Sequence, residues 1–315
     1  MHSRKAEQTS AGAASPISFP AADGYTLRGH LWRHPVGGSD RPVVIINPAT
    51  SVKARYYWRF ADHLHARGMD VLTYDYRGIG ESRHGSLRQL QAGWVDWGEQ
   101  DLEGALQLVK TLLPERPIHV VAHSVGGLLI GLAPSAQRVS RIFTMGAQFA
   151  WWQDYAKADR RHMFWRWHVM MPTLARLMGY VPAKRLGWME DTPKGVALSW
   201  ARMKPRLEDA LLKQRTDLLA GFSRIQAPIL ALSASDDPFG TERAIERLLA
   251  YYAQSDRHHL RLSSDAVPGQ AGIGHFAFFH QRFEQSLWPL ASNWLLQQQL
   301  PTGGYMLLRR FPAAY

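Results

Sequence analysis

The segment Val120-Val121-Ala122-His123-Ser124-Val125-Gly126-Gly127 carries the strongest chemical signal in the chain. A serine set between a short β-branched run and a glycine-opened apolar stretch sits on a sharp strand-to-helix turn. Its hydroxyl is then exposed above the carboxyl end of the strand. Small residues must flank it, because strand and helix backbones approach closely there. Gly126 meets that need, and Ala122 stands where a glycine is usual. The serine opens the helix, so the Val125 amide points toward any negative charge that develops beside it. Alone the pattern is weak, since a plain tight turn uses the same residues.

Three further features give the serine partners. Asp236 and Asp237 follow the apolar run Pro228–Ser233, and a carboxylate at a strand's carboxyl end can orient a histidine and stabilise its imidazolium. Counting from the start of that strand favours Asp237, with Asp236 as the alternate acid. His275, in Ile273-Gly274-His275-Phe276, lies in a glycine-flanked loop before the last helix and can reach back over the serine. The chain order Ser, Asp, His is the one used by strand–turn–helix serine sites. Asn47-Pro48-Ala49-Thr50 follows the first buried strand, where a second backbone donor belongs. That donor is assigned to the Ala49 amide, with Thr50 as the other choice. The chemistry these residues suggest is two-step acyl transfer, with Ser124 attacking a carbonyl and His275 taking its proton.

Such residues need a parallel sheet to carry them. Short apolar runs at 42–47, 70–75, 118–122, 140–146, 228–233 and 258–262 read as buried strands. Between them, 53–67, 102–113, 126–133, 241–253 and 283–299 carry helical spacing. A first hairpin is expected at 17–20 and 27–34 around Asp23-Gly24. Strand and helix alternating in this way imply an α/β fold with helices on both faces of the sheet. The core is expected over 16–146 and 225–300. The rhythm breaks over 147–224, a stretch without strand-like runs that holds six of the twelve tryptophans and reads as a helical cap. Those aromatics either line an acyl pocket or glue the cap to the core. Residues 1–15 are expected to be disordered and 301–315 loosely held.

Composition narrows the classes. The 315 residues contain no cysteine, which excludes disulfides, thiolate metal sites and a cysteine nucleophile. No apolar run follows Arg4 and Lys5, and no window offers a membrane-spanning stretch, so a cytoplasmic protein without stable membrane insertion is expected. The net charge of +11 resides partly in 151–206, with 11 Lys/Arg against 4 Asp/Glu. It speaks first to solubility. No nucleic-acid module pattern accompanies it, so no nucleic-acid partner is expected. Mixed Trp and Arg also suit a membrane surface. The pairs His63/His65 and His258/His259 lack metal spacing and a carboxylate, and read as surface residues. The turn at 78–80 lacks the lysine of a phosphate loop.

Taken together, these stretches resemble the α/β-hydrolase superfamily along roughly 20–300. Ala122–Gly127, Ser235–Thr241 and Ile273–Phe276 match its three triad regions, and Asp75–Ser82 resembles its segment after the second parallel strand. With Tyr56–Ala61, Ser199–Arg202 and Leu287-Trp288, they resemble a bacterial subgroup of α/β hydrolases of unspecified substrate. Asn47-Pro48 departs from the His-Gly seen in many members. The resemblance implies an α/β-hydrolase fold with a cap, a serine hydrolase acting on a small or medium apolar acyl substrate, and no cofactor or metal. Acyl transfer to an alcohol or thiol, or a non-catalytic binding module on the same fold, are the other readings. Oligomeric state is left open.

Overall fold

The computed structural model describes residues 14–35, 40–267, 269–301 and 306–313. The expected disorder of 1–15 falls almost wholly outside them, except that Ser15 already opens the first strand. Nine strands form one sheet: β1 (Ser15–Pro20), β2 (Thr26–Trp32), β4 (Asp70–Tyr74), β3 (Val43–Asn47), β5 (Ile118–His123), β6 (Val139–Met145), β9 (Ile229–Ala234), β10 (Arg257–Leu262) and β11 (Met306–Phe311), in that spatial order. The six from β4 to β10 run parallel, and β1, β2 and β11 are added antiparallel at the edges.

Period-two alternation splits the core between the two faces of the sheet. Val43 and Ile45 of β3 join one apolar cluster with Leu72, Val120 and Ile142, while Val44 and Ile46 join the other with Val71, Val121 and Phe143. The helix Trp58–Ala66 covers the second face with Phe60, Ala61 and Leu64. Trp288 and Trp294 of the helix Trp288–Gln297 lie there too, and their Nε1 atoms donate to Phe278 O at 2.6 Å and Ile142 O at 2.8 Å. Burying each side chain of this size stabilises the fold by roughly 1.5–3 kcal/mol.

Residues 147–224 are mainly helical, as expected, with one difference. A short antiparallel pair, β7 (Tyr180–Val181) and β8 (Thr192–Pro193), closes a turn within them. Met163, Trp167, Met171, Ala175 and Trp200 from this cap merge with the first-face cluster. The tail differs more: residues 306–311 pair with β10 as the ninth strand, because β10 would otherwise present an unpaired edge. The histidines also differ. His65, His258 and His259 are buried rather than surface residues. β10 lies between two neighbours, and His259 Nε2 meets Ser233 Oγ at 2.8 Å. His65 lies against His34, with ring centroids 3.8 Å apart and the planes tilted by 37°, beside Asp70. Ligand atoms of His34, His65 and Asp70 lie within 4.8 Å of one another, so the carboxylate missing from the linear pattern is supplied by the fold. Arg116 pairs with Asp70 Oδ2 at 3.1 Å and balances its charge. No described helix is long and apolar enough to cross a membrane.

Candidate active site

Ser124 follows β5 directly, with φ 55° and ψ −123°. A side chain other than glycine rarely occupies such a conformation, and the surrounding packing must hold it there. Its N–H donates to Met145 O at 3.0 Å, and its carbonyl accepts from Gly127 N at 3.1 Å. The helix Val125–Ile130 starts at once. A Cβ on Gly126 would fall 2.6 Å from Asn47 O, and one on Gly127 would fall 2.5 Å from Ala147 Cβ. The close approach read from the sequence is therefore present, and Ala122 fits it, fully buried.

Asp237 sits beyond β9, and His275 lies in the loop 263–276 after β10. His275 Nδ1 and Asp237 Oδ2 are 2.7 Å apart. Asp237 Oδ1 accepts from the Phe239 and Gly240 amides, each at 2.8 Å. Burial pushes the Asp237 carboxyl up, but the His275 ring and the two amides outweigh it and hold the group below the usual carboxylate range. An ionised Asp237 makes His275 Nδ1 the donor, and Nε2 is the ring nitrogen left for another partner. Of the two acids, Asp237 is the one that reaches the histidine. Asp236 is exposed, and its Oδ1 instead accepts from Gly274 N at 3.0 Å, bracing the loop from outside.

Two glycines make room for this pair, and neither was singled out by its motif. Gly146 has φ 60°, and a Cβ there would lie 3.0 Å from both Asp237 Oδ2 and His275 Nδ1. A Cβ on Gly240 would lie 2.4 Å from Asp237 Oδ2. Gly146 also follows Met145, the residue that binds the Ser124 amide. The serine backbone and the histidine ring thus flank one two-residue segment. The Ser124 hydroxyl makes no hydrogen bond with any described residue, and catalytic contacts are often loose before substrate arrives.

The expected oxyanion loop differs from its reading at one atom. The Ala49 amide donates to Tyr57 Oη at 2.9 Å. Tyr57 Oη is 2.8 Å from His123 Nδ1, and His123 Nε2 is 2.8 Å from His275 O. A carbonyl can only accept, so His123 carries its proton on Nε2 and accepts from the Tyr57 hydroxyl on Nδ1. Burial, first, and the neighbouring His275, second, push the His123 ring down to about 3, so it stays neutral. One polar chain therefore runs from Ala49 through Tyr57 and His123 to the backbone of His275. The Ala49 amide is occupied, whereas the Val125 and Thr50 amides meet no acceptor among the described residues.

Past Thr50 the loop touches the cap. Ser51 is buried at φ 56°, with Oγ 2.7 Å from Thr192 Oγ1 and its carbonyl accepting from Glu190 N at 3.0 Å. Lys53 Nζ pairs with Glu190 Oε1 at 2.9 Å. On the other side, Phe239 stands 4.9 Å from the His275 ring and 6.0 Å from Trp200, which stacks on Trp167 at 4.8 Å. Trp167 and Trp200 join the cap to the core, while Trp165 faces solvent. Ser124, Asp237 and His275 are all buried beneath this cover. Cavities of about 360 Å³ beside Lys53 and Asp75, and of about 450 Å³ beside Gly93 and Ser199, are lined by none of the three.

Comparison with known proteins agrees with this architecture. The chain matches the family described as serine aminopeptidase, S33, over residues 38–264, more than two-thirds of its length. No curated protein sequence matches it. Among solved structures, it superposes on a soluble variant of monoglyceride lipase from Saccharomyces cerevisiae with a TM-score of 0.61 and 15% identity, covering 94% of this chain and 97% of that one. An esterase of Pyrococcus furiosus gives 0.56 and 13%, covering 94% and 96%. A hydrolase from Pseudomonas aeruginosa gives 0.51 and 22%, covering 90% and 98%. At these identities the likeness establishes the fold. The profile match assigns more than the fold, and the chain belongs to the serine aminopeptidase S33 family of α/β hydrolases.

Proposed function

We propose that this protein is a serine hydrolase that cleaves a carboxylic ester of a small or medium apolar substrate through an acyl-enzyme. The observation that carries the reading is the 2.7 Å contact between His275 and an Asp237 held ionised, beside a serine on a strained strand-to-helix turn. In this reading His275 Nε2 takes the Ser124 proton as Oγ attacks the ester carbonyl. Asp237 stabilises the imidazolium, and the protonated ring then delivers the proton to the leaving alcohol. The Val125 amide, at the first turn of its helix, receives the tetrahedral oxyanion, joined by the Thr50 amide. Water, activated by the same histidine, releases the acyl group. The enclosing aromatics Phe239, Trp200 and Trp167 favour an apolar acyl chain, and the reaction needs no cofactor.

The test pairs a fluorophosphonate probe with p-nitrophenyl esters of graded length and aminoacyl p-nitroanilides. The parent is expected to label and to turn over esters. Ser124→Ala is expected to abolish labelling and to lower ester turnover by about 10⁴-fold or more, judged by the loss seen when a triad serine is removed. Anilide turnover exceeding that of esters would assign the site to amide chemistry, and labelling that survives Ser124→Ala would place the nucleophile elsewhere.

A further inference from the structure

The outer face of the cap is apolar and cationic together. The helical stretch from Arg160 to Met178 is one continuous run: Arg160–Phe164, a wide turn over Trp165–Met170, then Met171–Met178. Its inner side, Met163, Trp167, Met171 and Ala175, is buried against the core. Its outer side carries Trp165 at 64% exposure, Met170 at 44% and Leu177 at 79%. The wide turn places Trp165 and Met170 near one stripe, and Met170 and Leu177 share it at the i, i+7 spacing. Leu186, in the turn that follows, is exposed as well. Four of the six exposed large apolar side chains among the described residues thus fall within 165–186.

The charge on this stretch has one sign. Residues 160–189 include six Lys/Arg and no Asp or Glu. Arg160 reaches Tyr155 O, and Arg166 lies over the Trp167 and Trp188 rings. Arg161, Arg176, Lys184 and Arg185 form no ion pair among the described residues and are exposed. At the C-terminal end of the stretch, Glu190 and Asp191 pair with Lys53 and Arg83 of the core, while the single exposed acid Asp159 precedes it. An apolar stripe of Trp, Met and Leu flanked by unpaired cations is what a helix lying in the plane of an anionic bilayer presents. A second copy of this face would bring the same cations together and repel it.

We propose that the outer face of the cap docks reversibly on an anionic lipid surface, with Trp165, Met170 and Leu177 entering the headgroup–acyl boundary and Arg161, Arg176, Lys184 and Arg185 meeting lipid phosphates. The contact is peripheral and goes beyond the hydrolase reading, since it does not involve Ser124. It would bring the cap, and the site beneath it, to where apolar esters partition.

Full-length protein is mixed with phosphatidylcholine vesicles containing graded phosphatidylglycerol, and binding is read by flotation. Binding is expected to rise with anionic content and to fall with salt. Arg176→Glu combined with Arg161→Glu is expected to weaken it about fivefold or more for each position. Trp165→Ser with Leu177→Ser is expected to abolish it, while circular dichroism and the melting temperature stay near parental values. Lipids brominated near the headgroup should quench fluorescence in the parent and not in Trp165→Phe. Vesicle binding that is absent, or that is indifferent to these substitutions, overturns the proposal. So does self-association in sedimentation that is lost in Trp165→Ser without any lipid binding, because the face would then belong to a second copy.

Discussion

Asp237 and His275 are held by groups of the α/β core: two backbone amides on the carboxylate, and the His123 ring on the histidine's own carbonyl. The loop 49–53, on the other side of Ser124, is held partly from outside the core. Its Ala49 amide is tied to Tyr57, but Ser51 and Lys53 lean on Thr192 and Glu190 of the cap. The Asp237–His275 pair is therefore positioned by the core alone, whereas the loop that the proposed mechanism would use to receive negative charge also leans on the cap. In the proposed mechanism, one site would combine an acid–base pair fixed by the core with a charge-receiving loop propped partly by a separate insertion.

The largest effect should come from the core side. Asp237→Asn removes the ionised partner of His275 and should lower ester turnover by about 10³–10⁴-fold with the fold intact. Asp236→Asn removes the charge but keeps an oxygen to accept from the Gly274 amide, and should cost less than about tenfold. Steady-state rates and melting curves on both variants check this; a reversal of the two would make Asp236 the acid. A smaller effect sharpens the other side. Thr192→Val removes the 2.7 Å partner of Ser51 and should lower kcat about tenfold while leaving KM nearly unchanged, because the loop matters most when charge develops. Adding Ser51→Gly, which relieves the left-handed conformation, should restore part of the rate. If Thr192→Val raises KM alone, the cap contributes only to substrate enclosure.

The smallest effect concerns the polar chain that joins the two sides. The His123 ring is pushed down to about 3, below its ordinary 6.5, so the unfolded chain binds this proton first. Its contribution to stability is full above about pH 6.5 and is lost as pH falls, by about 1.4 kcal/mol per pH unit. Denaturant titrations between pH 6.5 and 4 should show that slope reduced by this amount in His123→Asn. An unchanged slope would mean that the ring is protonated in the native state.

Much of the core side was legible in the sequence because its signals are local. Ser124 and its glycines sit within four residues, and Asp237 and His275 each follow a readable strand. Strand counting favoured Asp237 over Asp236, and Asp237 is the acid within hydrogen-bond reach of His275, although both lie past the end of β9. The loop side was not legible. That Ala49 donates to Tyr57 depends on a helix eight residues on, and Ser51 meets a threonine 141 residues away. Gly146 and Gly240 gave no motif, although glycines next to a strand end and an acid are where a close approach can be sought. The tail's apolar run escaped notice because an edge strand needs only one neighbour. The histidines of β10 were read as surface residues for want of metal spacing and a carboxylate, whereas the sheet buries both.

The tie between Ser51 and Thr192 bears on how such enzymes diversify. An insertion that only roofed the pocket could be exchanged freely between relatives, each exchange granting a new substrate range. Here a chimaera that replaces 147–224 wholesale would also take away the side chain that meets Ser51 in the loop after β3. Recombination that retains Glu190–Thr192 as part of the recipient, and trades only the helices before them, has the better prospect of yielding active offspring.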